Sequence, residues 1–286
     1  MTVSEVNRLE LSAGTVEFED TGGDGPPIVF LHGFLMDSSL WADVLAELAD
    51  GHRCLAPTLP LGAHRHAVSA DADLSLPGIA ALVAEFLDHL DLRDVTLVGN
   101  DTGGAVVQVL LRDAAPRVGR VVLASCEAFD NLPPGLTGRV LAATGALPPW
   151  AFGLVMQQLR LRAFRRLPLT FGWLTSRGDA AAARWVRPVL TEPAIRRDAV
   201  RAIRAVMSDR GVLEEAARHL PSFARPALVV WARGDRVMPP EHGRRLADLF
   251  PQGRLVEIDD SRTLLPLDQP VRFAEVLREF LRTAPA

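Results

Sequence analysis

The sequence predicts an α/β protein with a mostly parallel central sheet, flanking helices and an inserted all-helical segment. Three observations predict this fold class. Short apolar runs alternate with amphipathic segments up to residue 126, the alternation stops over 127–220, and it resumes over 221–286. Such alternation is typical of parallel sheets covered by helices on both faces. We therefore predict a core of residues 1–126 and 221–286 and a helical cap domain at 127–220.

In the first part of the core, strands and helices follow one another closely. Strands are predicted from apolar runs at 16–20, 28–32, 53–57, 95–99 and 120–125. Pro77 and the apolar spacing after it predict a helix that ends near residue 90, and a second helix is predicted at 105–114.

The rest of the chain is first helical and then α/β again. Proline pairs interrupt the helical segments of the insertion, where no strand is predicted. Strands are then predicted at 227–232 and 254–259, and helices at 240–249 and 271–283. An insertion of this kind covers the carboxyl edge of the sheet, where open α/β folds bind ligands.

Composition limits the classes of function. Of the 286 residues, 48% are hydrophobic, and the net charge of −4 does not favour nucleic acid or an anionic membrane as partner. No signal peptide or membrane-spanning run is evident, so a cytoplasmic enzyme with a small-molecule substrate is expected. Metal-ligand spacing and phosphate-binding glycine loops are both lacking, so neither metal nor cofactor is expected.

Arginine is concentrated in the predicted cap. From Arg139 to Arg218 there are 14 arginines and 6 acidic residues. Solvated amphipathic helices explain this excess, and a lid that attracts an anionic or polar-headed substrate is the alternative.

The most informative motif is Gly99-Asn100-Asp101-Thr102-Gly103. Its spacing is that of a nucleophile elbow, in which a strand turns sharply into a helix and small neighbours allow a strained central residue. The backbone N–H of Thr102 would then face the reacting centre from the start of the helix. Asp101 as a simple helix N-cap is the alternative.

On these motifs the chain resembles the α/β-hydrolase superfamily, specifically its epoxide hydrolase and haloalkane dehalogenase branch. His32-Gly33-Phe34 is similar to the family's oxyanion motif, which implies that the Phe34 backbone N–H is the second donor. Gly234-Asp235 resembles the turn that carries the family's catalytic acid, and Glu127 occupies the position where some dehalogenases carry it. The resemblance implies a hydrolase with Asp101 as nucleophile.

An aspartate nucleophile changes the expected chemistry. A carboxylate is already anionic at neutral pH, and its expected reaction is attack on an sp3 carbon to give an ester that water later cleaves. The resemblance implies a histidine for that second step near Arg262-Thr263, but the chain has no histidine after His242. It also has no tyrosine, whereas epoxide hydrolases use cap tyrosines, and Thr102 stands where dehalogenases have a halide-binding tryptophan.

Two loop histidines are candidates to replace the missing base. His64 or His66 could act as a displaced base or orient a polar substrate, and solvent-exposed loop residues are the alternative. Thr263 stands in the histidine position, although its hydroxyl is no base at neutral pH. Glu127 and Asp235 compete for the role of functional acid.

Three functions therefore remain open. The first is an epoxide-hydrolase-like enzyme for a small or mid-sized apolar molecule. The second is a cyclase, isomerase or lyase that uses Asp101 as general acid or base, and the third is a binding protein without catalysis. A few large side chains are expected to shape the apolar pocket, from a set made up of Trp41 in the core and Trp150, Phe152, Met156, Leu159, Phe164, Phe171, Trp173 and Trp185 in the cap.

Overall fold

The computed structural model describes residues 5–113 and 115–284, and its centre is an eight-stranded sheet. The strands are β1 Glu5–Leu11, β2 Gly14–Asp20, β3 Pro27–Leu31, β4 Arg53–Pro57, β5 Val95–Asn100, β6 Val118–Ala124, β7 Ala227–Ala232 and β8 Gly253–Ile258. Their order across the sheet is β1-β2-β4-β3-β5-β6-β7-β8. The β1–β2 and β2–β4 pairs are antiparallel and the remaining pairs are parallel.

Helices cover both faces of this sheet. Those of the core are α1 Ala42–Leu48, α2 Leu76–His89, α3 Thr102–Arg112, α11 Val212–His219, α12 Pro240–Leu249, α13 Leu265–Asp268 and α14 Pro270–Thr283. Strands β5, β6 and β7 are buried along their whole length, which explains their nearly continuous apolar sequences. The predicted fold class is confirmed. Within the described residues, no helix is both long and apolar enough to cross a membrane.

The insertion after β6 consists of short helices, described here as the cap. Its helices are α4 Gly135–Gly145, α5 Pro149–Met156, α6 Arg162–Arg165, α7 Phe171–Leu174, α8 Asp179–Trp185, α9 Arg187–Thr191 and α10 Pro193–Ser208. Helix α10 packs against α4, α5 and α9. Helix α11 lies within the predicted cap range 127–220 but packs against core helix α3, so the described cap ends at Ser208.

One strand was not predicted from the sequence. Strand β1 pairs along its whole length with β2, from Glu5 opposite Asp20 to Leu11 opposite Gly14. It is an edge strand in which polar and apolar residues alternate, so it lacks the apolar run that marks the central strands.

Candidate active site

Asp101 lies at the sharp turn between β5 and α3. Its backbone has φ 53° and ψ −135°, a strained conformation for a residue with a side chain. The turn is so tight that a Cβ on Gly99 would lie 2.4 Å from the carbonyl oxygen of Gly103. The small residues of the motif are therefore required by close backbone contact, and they present the Asp101 side chain at the carboxyl end of the sheet.

Three donors from two neighbouring residues hold the Asp101 carboxylate. The Thr102 backbone N–H donates to Oδ1 at 2.8 Å, and Thr102 Oγ1 lies 3.1 Å from the same oxygen. The Phe34 backbone N–H also donates to this carboxylate. Burial raises the pKa of Asp101 above its ordinary value, whereas these donors lower it. Phe34 and Thr102 thus lie where an oxyanion-binding pair is expected.

His32 fixes the loop that carries Phe34. Its Nδ1 lies 2.9 Å from the Gly33 carbonyl oxygen, and the Leu59 N–H donates to Nε2 at 2.8 Å. This arrangement requires a neutral ring with the proton on Nδ1. Burial lowers the pKa of His32 to about 4, which agrees with that form. His32 therefore positions the loop and does not act as a base on Asp101.

Glu127 follows β6 and lies beside the elbow. Its Oε1 is 2.8 Å from Thr102 Oγ1, so a single hydroxyl contacts both carboxyl groups. The side chain is 1% exposed, and Oε2 has no hydrogen-bond partner among the described residues. Burial, and then the negative charge of Asp101, raise the pKa of Glu127 well above its ordinary value.

The two contacts of Thr102 Oγ1 fit a pair of acids that shares one proton. A threonine hydroxyl has one proton to donate, so it cannot donate to both carboxyl groups at once. Asp101 has the additional amide donors that favour an anion, whereas Glu127 Oε2 has no hydrogen-bond partner among the described residues. The arrangement that satisfies every contact has Glu127 protonated and donating to Thr102 Oγ1, which donates to Asp101 Oδ1.

Asp235 and Thr263 form a second polar pair. Thr263 Oγ1 donates to Asp235 Oδ1 at 2.9 Å, and the Val237 and Met238 N–H groups donate to the same oxygen at 2.9 Å each. Burial raises the pKa of Asp235 to about 6. Neither Asp235 nor Thr263 lines the cavity described below. Of the two candidate acids, only Glu127 contacts the Asp101–Thr102 elbow.

Asp101, Thr102 and Glu127 line the polar end of a cavity of about 280 Å³ between core and cap. The remaining lining is mostly apolar and comes from the oxyanion loop, the cap and Val237; its polar residues are Thr137, Thr144, Gln158 and Thr170. Its larger apolar residues are Phe34, Leu35, Met36, Val140, Leu141, Val155, Met156, Leu159, Phe164, Leu167, Leu169, Phe171, Leu174, Met207 and Val237. A cavity of this kind suits a small or mid-sized apolar molecule.

The proposed base His64 is held away from this cavity. Its Nδ1 accepts from the Gly62 N–H at 3.3 Å and its Nε2 lies 3.5 Å from Asp198 Oδ2 on cap helix α10. His66 lies 3.0 Å from Glu17 Oε1. Neither ring lines the cavity, so the expectation that one of them replaces the missing base is wrong. His64 is also buried rather than an exposed loop residue.

Of the large residues expected in the pocket, Met156, Leu159, Phe164 and Phe171 line it, whereas the five others do not: Trp41, Trp150, Phe152, Trp173 and Trp185. Trp41 is fully buried against Phe30 and Phe273, and Phe152 is also fully buried. Trp150 is 68% exposed, and Trp173 packs at the edge of the core. These predictions relied on side-chain size, which does not show which face of a helix points inward. No arginine lines the cavity either, so its described walls do not support a lid for anionic substrates.

Two features of the site were missed. One face of helix α4 lines the cavity with Thr137, Val140, Leu141 and Thr144. These residues follow the i, i+3, i+4, i+7 spacing of one helix face, so the sequence alone could have predicted that they lie on the same side. The bridging role of the Thr102 hydroxyl had no sequence signal, because Glu127 is 25 residues away. In the described part of the chain, no cluster of three or more His, Cys, Asp or Glu residues is arranged to hold a metal ion.

Comparisons with known proteins agree with this architecture. A family model described as alpha/beta hydrolase fold matches residues 26–270. Haloalkane dehalogenase 2 of Mycobacterium tuberculosis is 28% identical over 276 residues, which are 95% of this chain and 93% of that protein.

Solved structures of several hydrolases have the same fold. A thermophilic esterase from Thermogutta terrifontis has a TM-score of 0.71 at 23% identity and covers 98% of this chain and 99% of its own. An enol-lactonase from Burkholderia xenovorans has a TM-score of 0.71 at 20% identity and covers 96% of this chain and 100% of its own. Likeness at these identities shows the fold and leaves the reaction open.

Proposed function

Because this chain belongs to the α/β-hydrolase fold family, we propose that it hydrolyses a small or mid-sized apolar epoxide with Asp101 as the nucleophile. The observation that carries the proposal is the Asp101 carboxylate, held by backbone N–H donors at the polar end of an apolar cavity. A carboxylate attacks an sp3 carbon without prior deprotonation, and the ester that results is cleaved by water.

The amide donors suit both halves of such a reaction. In the resting state the Thr102 and Phe34 N–H groups orient the carboxylate. When water adds to the ester carbon, negative charge develops on the oxygen beside these N–H groups, and donors already in place stabilise it. Removing one such donor typically costs about 10²–10³ in kcat.

The leaving group distinguishes an epoxide from a haloalkane. The dehalogenase from Mycobacterium tuberculosis, to which this chain is similar, acts on haloalkanes according to its name. Among the described residues of this cavity, none carries an indole, imidazole or phenol group that could bind a departing halide. An epoxide oxygen instead needs a proton, and Glu127 is a buried carboxyl group in the same cavity.

A single turnover in ¹⁸O-labelled water tests the nucleophile. With enzyme in excess over phenyl glycidyl ether, attack by Asp101 gives an unlabelled diol and places one ¹⁸O in the Asp101 peptide. Asp101→Asn should give no diol. The matched control is Asp91→Asn, a change at a surface carboxylate that is 70% exposed, and it should behave as wild type.

A non-hydrolytic acid–base enzyme is the second candidate. The contact of Thr102 Oγ1 with both Asp101 and Glu127 favours it, since paired carboxyl groups with different pKa values are suited to proton transfer. In the labelling experiment, ¹⁸O in the diol and none in Asp101 would show that Asp101 acts as a base. Isomerised or cyclised product without incorporation of water would identify the second candidate.

A further inference from the structure

Glu127 is the carboxyl group beside the nucleophile, and the hydrolysis of the ester has so far been given no general base. It is almost fully buried, its Oε1 is 2.8 Å from the hydroxyl that contacts Asp101, and its Oε2 has no hydrogen-bond partner among the described residues. An unpartnered polar atom in a buried carboxyl group is costly unless a ligand or water satisfies it. Because Glu127 lines the cavity, a bound substrate or water can do so.

We propose that Glu127 is a catalytic residue that acts first as general acid and then as general base, and so replaces both the cap tyrosine and the histidine that this chain lacks. The inference rests on the proposed function, because it requires an ester on Asp101. One carboxyl group that exchanges these roles between two steps is established chemistry in retaining glycosidases.

In the first step Asp101 opens the ring. A carboxylate oxygen forms a bond to an epoxide carbon, the carbon–oxygen bond of the ring breaks, and the ring oxygen takes the proton of Glu127. The products are a hydroxyalkyl ester of Asp101 and an ionised Glu127. The single proton that the pair held has moved to the substrate.

In the second step water cleaves the ester. The Glu127 carboxylate removes one proton from water, and the hydroxide forms a bond to the Asp101 Cγ. The tetrahedral intermediate carries its charge beside the Thr102 and Phe34 N–H groups and then expels the alkoxide, which takes the proton from Glu127. A diol leaves, and one proton remains on the Asp101–Glu127 pair. This proton returns from Asp101 to Glu127 through Thr102 Oγ1.

The change of role follows from the charge of Asp101. Before reaction, burial and the Asp101 charge raise the pKa of Glu127 well above its ordinary value, so it is an acid. Esterification neutralises Asp101 and removes the electrostatic contribution, which lowers the pKa of Glu127 and stabilises its ionised form. The burial contribution remains, so the ionised form is a stronger base than an ordinary carboxylate.

Two substrates and the variant Glu127→Gln separate the two roles. Bromide leaves without a proton, so 1-bromohexane should alkylate Asp101 in wild type and in the variant at similar rates. In wild type, Glu127 then releases its proton to solvent, because Asp101 is no longer charged, and acts as the base for ester hydrolysis. The variant should then retain the hexyl ester, seen by mass spectrometry, and release no more than one equivalent of bromide. With phenyl glycidyl ether, the alkylation step itself should also slow, and steady-state turnover should fall about 10²–10⁴-fold.

The controls separate catalysis from folding and from the proposed function. Glu275→Gln removes a surface carboxylate paired with Arg272 and should leave both reactions unchanged. Continued bromide release by Glu127→Gln at the wild-type rate would overturn the role of Glu127 while leaving Asp101 as the nucleophile. The role of Glu127 would also be overturned if the hexyl ester on Asp101 lasted as long in wild type as in Glu127→Gln. Turnover without any Asp101 ester in either protein would instead contradict the proposed function.

A measurement on the wild-type protein does not depend on the variant folding. Infrared difference spectra of protein with ¹³C-labelled glutamate should show a protonated glutamic acid carbonyl band that is lost when Asp101 is alkylated by an epoxide. The same band should persist in Glu275→Gln and be missing in Glu127→Gln. An epoxide-alkylated enzyme that retains the band would exclude proton donation by Glu127.

Discussion

Replacing Thr102 by valine tests how the Asp101–Glu127 pair is held. The substitution keeps the backbone N–H that donates to Asp101 Oδ1 at 2.8 Å and exchanges the hydroxyl for a methyl group of similar size. Asp101 loses the donor at 3.1 Å, and Glu127 loses the oxygen at 2.8 Å that accepts its proton. The change therefore removes the link between the two acids and leaves the elbow in place.

The size of the effect follows from one lost hydrogen bond to a carboxylate. Such a bond contributes ~1.5–3 kcal/mol, and the contact at 3.1 Å is long for a hydroxyl donor, so the lower value applies. A change of about 1.36 kcal/mol corresponds to one pKa unit, so the pKa of Asp101 should rise by about one unit. Because attack requires the anion, the acid limb of kcat/KM should move about one pH unit upward, with about tenfold lower activity below it.

The assay is the pH profile of kcat/KM for an epoxide. Thr96→Val is the matched control, because Thr96 is 1% exposed and its hydroxyl has no hydrogen-bond partner among the described residues. The control should keep the wild-type acid limb. If Thr102→Val also keeps it, the hydroxyl does not stabilise the Asp101 anion and the bridged arrangement of the pair is wrong.

Two further predictions concern the turns around the site. Burial raises the pKa of Asp235 from 3.8 to about 6, so the folded state binds an extra proton in this range. Wild type should therefore lose about 2 kcal/mol of stability relative to Asp235→Asn between pH 4 and pH 7. Urea unfolding of both proteins at the two pH values checks this, and a difference independent of pH would contradict it. Gly33→Ala should lower epoxide turnover by about 10²-fold or more, because the new Cβ would lie 2.0 Å from Asp101 Oδ1 and displace the carboxylate. The control is Gly51→Ala, whose new Cβ would meet no atom within 4 Å, and it should keep wild-type turnover.

The parts of the site that the sequence predicted correctly are those set by local geometry. Strands β5 and β7 are marked by continuous apolar runs, and the Asp101 elbow is marked by small residues at a fixed spacing. The same spacing places the Thr102 N–H at the start of α3. Glu127 was among the candidate acids because it directly follows a central strand. In each case the sequence feature that determines the local structure spans only a few consecutive residues.

The parts that could not be predicted depend on packing between distant segments. His64 contacts Asp198 of the cap, and Trp185 Nε1 of the cap donates to Ser39 Oγ of the core at 2.9 Å. The orientation of the cap helices, and therefore the cavity lining, follows from such contacts. Trp150 shows the consequence, since its helix turns this large apolar side chain to solvent.

In the proposed reaction, the lack of a histidine after His242 and the protonation of Glu127 are physically linked. An imidazolium beside Glu127 would favour its ionised form and remove the acid from the cavity, because an opposite charge nearby lowers the pKa of a carboxyl group. The described residues of the cavity include two carboxyl groups and no cationic side chain, so the electrostatic repulsion between two anions is relieved only by retaining one proton. In the proposed reaction, the lack of this histidine leaves Glu127 as the acid that opening an epoxide requires, and formation of the ester converts that acid into the base that ester hydrolysis requires.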